Sequence, residues 1–194
     1  AFYNCGQFET LILNLKGSIG DGAFDQCTSV TSVTIGQNVT YIGNYAFRLC
    51  QAADLSLPMG LTHIGNEAFK GWLMNRVTVP DSVTYIGYGA FSGCGNIEQM
   101  TIPFVGSEDT DNNPFGYIFG SVSASGSALT SQGLGYTYQG RNYEIPQVLR
   151  RVTVTRGTKI SNYAFYNCDL LEVIALPGTV QSIGSSALAN CFDL

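Results

Sequence analysis

The side chains able to act as nucleophiles or soft metal ligands in this 194-residue sequence are six cysteines and one histidine, and their spacing decides what chemistry they could do. Cys5, Cys27, Cys50, Cys94, Cys168 and Cys191 each stand three residues after an Ala-Phe pair, or after Ala187-Leu188 in the last case, and Trp72 stands at the same distance after Phe69. A position that accepts Trp is an apolar packing position, and free cysteine behaves as a small buried hydrophobe. A ladder of reduced thiols is therefore expected. The alternative is a disulfide between stacked neighbours such as Cys5 and Cys27, which stacking brings near the permitted Cα separation. Ligands that recur singly and all point inward do not surround an ion as Cys-x-x-Cys pairs do, so no metal site is expected. His63 shares its repeat position with Tyr41 and Tyr85, and a surface ladder accounts for it.

Hydrolytic triads need a nucleophile beside a base, and neither the inward thiols nor a repeat-bound imidazole provides one. The acids are scattered singly, which gives no carboxylate pair for glycoside hydrolysis. Asp109-x-Asp111-x-Asn113 opens like a calcium loop, but Pro114 stands where such a loop needs Gly and Gly120 where it needs Glu. No phosphate-cradling or dinucleotide motif occurs in a fitting context. The sequence reads as non-catalytic, with no cofactor.

The elements that hold these residues come from a repeat. Ala-Phe recurs at 1/2, 23/24, 46/47, 68/69, 90/91 and 164/165, with Ala187-Leu188 as a variant, at spacings of 22 or 23 except for one long gap. Ile-Gly precedes the pair at 19/20, 42/43, 64/65, 86/87 and 183/184, with Ile160-Ser161 as the departure. After the pair comes apolar-x-x-apolar-x-apolar, as in Val30, Val33, Ile35 and in Leu149, Val152, Val154. Such alternation sends every second side chain of a strand into a core, and Pro58, Pro80, Pro103 and Pro177 then stop the ladder. A unit this short cannot bury its own apolar face, so units must stack with strands about 4.8 Å apart in a parallel sheet. The expected core ladder is Phe2, Phe24, Phe47, Phe69, Phe91 and Phe165 with Cys5, Cys27, Cys50, Trp72, Cys94, Cys168 and Cys191.

The regular repeats are expected over residues 1–103 and 149–194, with an elaborated repeat over 104–148. In that interruption Phe115-Gly116-Tyr117-Ile118-Phe119-Gly120 reads as a distorted copy of the Ala-Phe turn. Residues 121–135 are rich in Ser, Gly and Ala and read as loop. Tyr136-Thr137-Tyr138 and 142–145 then flank Gln139-Gly140-Arg141 as a hairpin. Aromatics gather here (Phe104, Phe115, Tyr117, Phe119, Tyr136, Tyr138, Tyr143), either to pack the loop onto the stack or to anchor a partner.

Net charge of −5 argues against nucleic-acid binding, which needs a positive surface. Five of the nine basic residues nevertheless lie at Arg141, Arg150, Arg151, Arg156 and Lys159. No apolar stretch is long enough to cross a bilayer as a helix.

The units Val39-Thr40-Tyr41-Ile42-Gly43-Asn44-Tyr45-Ala46-Phe47-Arg48-Leu49-Cys50 and Val83-Thr84-Tyr85-Ile86-Gly87-Tyr88-Gly89-Ala90-Phe91-Ser92-Gly93-Cys94 closely resemble the BspA-like leucine-rich repeats. The resemblance implies a right-handed leucine-rich-repeat solenoid, with a parallel sheet on one face and short helical or irregular turns on the other. Members occur on surface-exposed and secreted proteins of mucosa-dwelling bacteria and some protist parasites, and some are implicated in adhesion to host matrix proteins. It therefore implies a cell-surface or secreted interaction module with a protein partner, acting through a concave sheet and the 104–159 region. The residues expected to bind are Arg76, Gln99, Arg150, Arg151, Arg156, Tyr136, Tyr138, Arg141 and Tyr143. Two alternatives stay open: a carbohydrate or glycosaminoglycan site using Tyr136, Tyr138, Arg141, Arg150, Arg151 and Arg156, and a structural spacer. Both ends fall in mid-repeat, so the chain is expected to be part of a longer protein.

Overall fold

In the computed structural model, residues 2–109, 112–121, 129–133 and 142–194 are described, with 129–133, 142 and 144 given by backbone alone. The apolar alternation becomes parallel strands stacked over about seven turns, as expected, with almost no helix. The regular units carry two short strands each, except the unit of β5, whose first strand is missing. The first set, β1 (Thr10–Leu13), β3 (Ser32–Ile35), β6 (Arg76–Thr78), β8 (Gln99–Ile102), β11 (Arg151–Val154) and β13 (Val173–Ala175), forms the long face. The second, β2 (Gly17–Ile19), β4 (Val39–Ile42), β5 (His63–Ile64), β7 (Tyr85–Ile86), β12 (Lys159–Ile160) and β14 (Ser182–Ile183), carries the Ile-Gly ladder. Register is constant from β6 to β11: Val77 lies beside Met100, and Met100 beside Val152.

The core is the set of ladders between these strands and the turns. Phe24, Phe47, Phe69 and Phe91 stack nearly parallel with centroids 5.5 to 5.8 Å apart. Phe47, Phe69, Phe91 and Phe165 are fully buried, whereas Phe2, in the first of these turns, is 52% exposed. Cys5 and Cys191, in the outermost turns, are half-buried.

Turn backbone inside a stack must find hydrogen-bond partners, and here they lie in the next unit. The amides of Phe24, Phe47 and Phe69 donate to the carbonyls of Ala46, Ala68 and Ala90. This geometry puts the residues two before and two after each Phe in the left-handed region. Tyr45 (φ 57°) and Leu49 (φ 63°) flank Phe47, while Gly89 and Gly93 occupy the same places around Phe91. Glycine after Ile has a different cause, close approach. A Cβ on Gly65 would lie 2.4 Å from the Asn44 nitrogen, and one on Gly87 would lie 2.4 Å from the Asn66 nitrogen.

The interruption keeps the stack continuous. The turn at Phe115–Ile118 is a short 3-10 helix that occupies the missing Ala-Phe position: Phe91 donates to the Ile118 carbonyl on one side, and Phe115 donates to the Ala164 carbonyl on the other. Phe104, Phe115, Phe119 and Tyr143 are buried, so these insert aromatics pack the elaborated repeat onto the stack and are not a contact surface.

Two expectations need correction. The hairpin exists with another first strand: β9 (Leu129–Gly133) lies within the Ser, Gly and Ala-rich stretch read as loop, and pairs antiparallel with β10 (Asn142–Pro146). Strand formation follows the partner and the face more than composition, which is why that stretch was opaque. Tyr136, Tyr138 and Arg141 lie outside the described residues. The long face is also divided, into β1-β3 and β6-β8-β11-β13. Residues 53–57 pass between the two blocks without forming a strand. Asp54 stands there where β6 carries Arg76 and β8 carries Gln99, and Asp is a poor strand former.

Candidate functional site

The outward row on the long face is assembled by register. Arg76, Gln99 and Arg151 sit side by side on β6, β8 and β11. Arg76 and Arg151 are exposed and Gln99 is half-buried. Beside them run Thr78, Thr101 and Thr153, also in register. Every second strand residue faces the core, so these outward positions are free of packing duty.

Two hollows lie along the entry to these strands. One, of about 330 Å³, is lined by Glu98, Gln99, Arg150, Arg151 and Glu172 around Val148. The other, of about 430 Å³, is lined by Asp54, Asn75, Asn96 and Glu98 with Leu73 and again Val148. Leu73 and Val148 are both exposed apolar side chains within a polar rim. A further groove of about 360 Å³ follows the break in the long face and is bordered by Leu55, Leu57, Met59 and Pro80, with Met59 73% exposed.

The remaining expected binding residues are placed otherwise. Arg150 is held at home, its guanidinium donating to the Gln147 carbonyl and lying 3.4 Å from Glu172. Arg156 points inward, donates to the Val83 carbonyl at 2.6 Å and stands over the Phe104 ring. Tyr143 is 2% exposed, with Tyr88 as a ring neighbour at 6.5 Å, so its face is not open to a partner. Asp109 is described and Asp111 is not, which leaves the Asp109-x-Asp111-x-Asn113 pattern partly outside the described residues.

All six cysteines are unpaired thiols. Three of the four buried ones share a task that spacing alone did not reveal. Cys27, Cys50 and Cys94 donate from Sγ to the carbonyls of Phe2, Phe24 and Phe69 in the preceding unit, at 2.8, 3.4 and 3.1 Å. Trp72 does the same through its indole N–H, 2.9 Å from the Phe47 carbonyl. The slot is therefore an apolar site that also needs a donor, and this explains why Trp can replace Cys there. Burial pushes the Cys50 and Cys94 thiols up to about 12, which keeps them protonated and poor nucleophiles.

His63 stacks between Tyr41 and Tyr85 at 4.3 and 4.6 Å, and burial moves its pKa down. A second ladder escaped notice in the sequence: the Asn44 side-chain oxygen accepts the Asn66 amide, the Asn66 oxygen accepts the Tyr88 amide, and Asp21 accepts the Asn44 amide. Its signal was present as Asp or Asn directly after Ile-Gly at 21, 44 and 66. On the turns, Arg48 forms a two-pronged pair with Asp25 at 2.8 and 2.7 Å, and Lys70 pairs with Glu67 at 2.9 Å. Among the described residues no cluster of three metal-ligating side chains occurs.

The model of the BspA type leucine-rich repeat region matches six copies, over residues 1–117 and 149–194. Among solved structures, a leucine-rich repeat protein from Bacteroides ovatus is similar over the whole chain at 22% identity and a TM-score of 0.53. The T. pallidum leucine-rich repeat protein is similar at the same identity and TM-score. The chain spans 61% of the first and 68% of the second. At that identity the likeness concerns the fold. Among curated proteins no relative is found. With six matched repeats and the solenoid they predict, this chain belongs to the BspA-type leucine-rich repeat proteins.

Proposed function

We propose that the chain is a non-catalytic interaction module of a cell-surface or secreted protein, which binds a protein partner through the outward face of β6, β8 and β11 and the adjoining hollows. The observation that carries this reading is the in-register row Arg76, Gln99 and Arg151, with both arginines exposed, beside the apolar Leu73 and Val148. Interfaces use an apolar centre with Arg anchors and a polar rim, and that is the pattern here. Asp54, Glu98 and Glu172 stand among the cations, a mixed-charge surface that suits a protein better than a polyanion. The family's occurrence on surface proteins supports the location.

The test is binding to immobilised host matrix proteins, comparing the wild type with Arg76→Glu/Arg151→Glu and with a version lacking residues 121–144. Reversal of the two cations is expected to weaken capture by more than about tenfold. Capture equal in all three would overturn the reading. Binding that collapses steeply with salt and moves to heparin would assign a polyanion ligand in its place.

A further inference from the structure

Arg156 is held by three contacts yet left incomplete by all of them. Its amide donates to the Pro103 carbonyl, Nη2 donates to the Val83 carbonyl at 2.6 Å, and the guanidinium carbon lies 5.3 Å from the centroid of Phe104. Its Nε is the buried side-chain nitrogen or oxygen that lacks a hydrogen-bond partner among the described residues. A buried donor without a partner is rare in folded proteins, and each instance calls for an explanation.

A cavity of about 250 Å³ supplies one. Arg156, Lys159, Thr158 and Ser161 line it, with Phe104 among the apolar walls and Asp109 as the acid present. Among the described residues, two cations and two hydroxyls line it beside one carboxylate, so the local balance is positive inside a chain that is acidic overall. Small-molecule sites usually occupy roughly 300–1,000 Å³, and this cavity falls below that range. It takes one charged group of a larger ligand.

We propose that the cavity is a carboxylate site, in which Arg156 Nε and the Thr158 and Ser161 hydroxyls donate to the two oxygens of an aspartate, a glutamate or a C-terminus presented by a protein partner. This rests on the protein-partner reading above and names the group recognised. One open guanidinium edge and a net balance of one positive charge match a planar monoanion better than a tetrahedral dianion, which needs more donors and more charge.

The experiment follows the Arg156 side-chain Nε–H signal by NMR, together with the backbone amides of Thr158 and Ser161, which also report in the variants, during titration with sodium acetate against sodium chloride at matched ionic strength. A saturable shift with acetate alone is expected, weakened about tenfold in Arg156→Lys, which keeps the charge and loses the Nε donor. Asp109→Asn, at an exposed position, is expected to tighten acetate binding by removing a like charge. A linear shift common to both salts, or saturation unchanged in both variants, means that water fills the cavity and overturns the site. N-acetylglutamate amide and glucuronate then separate the sources, and tighter binding of glucuronate would overturn the assignment to a protein carboxylate. Because acetate binding needs no partner, failure of the site and failure of the protein-partner reading are seen separately.

Discussion

Trp72→Phe isolates the donor in the cysteine slot. The substitution keeps a large aromatic side chain in edge contact with Phe47 and Phe69, whose ring centroids lie 6.0 and 5.1 Å away. It removes the indole N–H that satisfies the Phe47 carbonyl at 2.9 Å. That carbonyl is enclosed between units, and an unsatisfied buried acceptor costs about 1–3 kcal/mol. The smaller ring gives up about a further 1 kcal/mol of apolar burial. The sum, about 2–4 kcal/mol, corresponds to a fall in Tm of roughly 4–16 °C for a chain of this size. Thermal and urea unfolding followed by circular dichroism would measure it, with Ser56→Ala, at an exposed position on 53–57, as the control. A loss for Trp72→Phe no larger than that of the control would show that the slot asks only for volume, and the account of the thiols as donors would fall with it.

Other expectations follow from the same geometry. Phe47→Ala, in the middle of the ring stack, should cost about 3–5 kcal/mol, and Phe2→Ala much less because Phe2 is half in solvent; equal losses in urea unfolding would contradict the ladder. Gly65→Ala should destabilise by about 3 kcal/mol or more, since its Cβ would meet the Asn44 backbone nitrogen at 2.4 Å and backbone cannot yield as a side chain can. The thiols predict a dependence on pH. Unfolded cysteines begin to lose protons near 9, whereas Cys50 and Cys94 hold theirs to about 12 in the fold. Their contribution is thus complete below about pH 8.5 and is lost progressively as pH rises toward 12. Urea midpoints that fail to fall between neutral pH and pH 10 would count against this burial. Iodoacetamide at pH 8 should label Cys5 before Cys50 or Cys94, as read by peptide mass spectrometry, and all six only in denaturant.

Much of the fold was legible because a solenoid writes each packing position seven times over. Phe24, Phe47, Phe69 and Phe91 declared the core by period alone, and Trp72 among cysteines declared the slot buried. What the slot does with its donor was hidden, since sulfur and indole share a function only once the preceding carbonyl is seen. The Asn44 and Asn66 ladder shows in sequence only as Asn after Ile-Gly, and its role needs the geometry, in which each side-chain oxygen accepts an amide of the next unit. The interruption was legible where it mimicked the repeat, at 115–120, and opaque at 129–133, where pairing with β10 decides the structure. The proposed binding surface was readable only as rows. Arg76, Gln99 and Arg151 share a row because register puts them there, whereas Arg150 and Arg156 look equivalent in sequence and are occupied by Glu172, Gln147 and Val83.

The break at 53–57 gives the solenoid unequal mechanics on its two sides. On the Ile-Gly side, β4, β5 and β7 are bonded without interruption past the break, and the Phe turns are laced from Phe24 to Phe91. On the long face the hydrogen bonds stop at β3 and resume at β6. A rod pinned along its back and slit across its front bends about the back. Bending strain is therefore expected to concentrate beside the Met59 groove, where the amide hydrogens of 53–57 should exchange before those of β3 and β6.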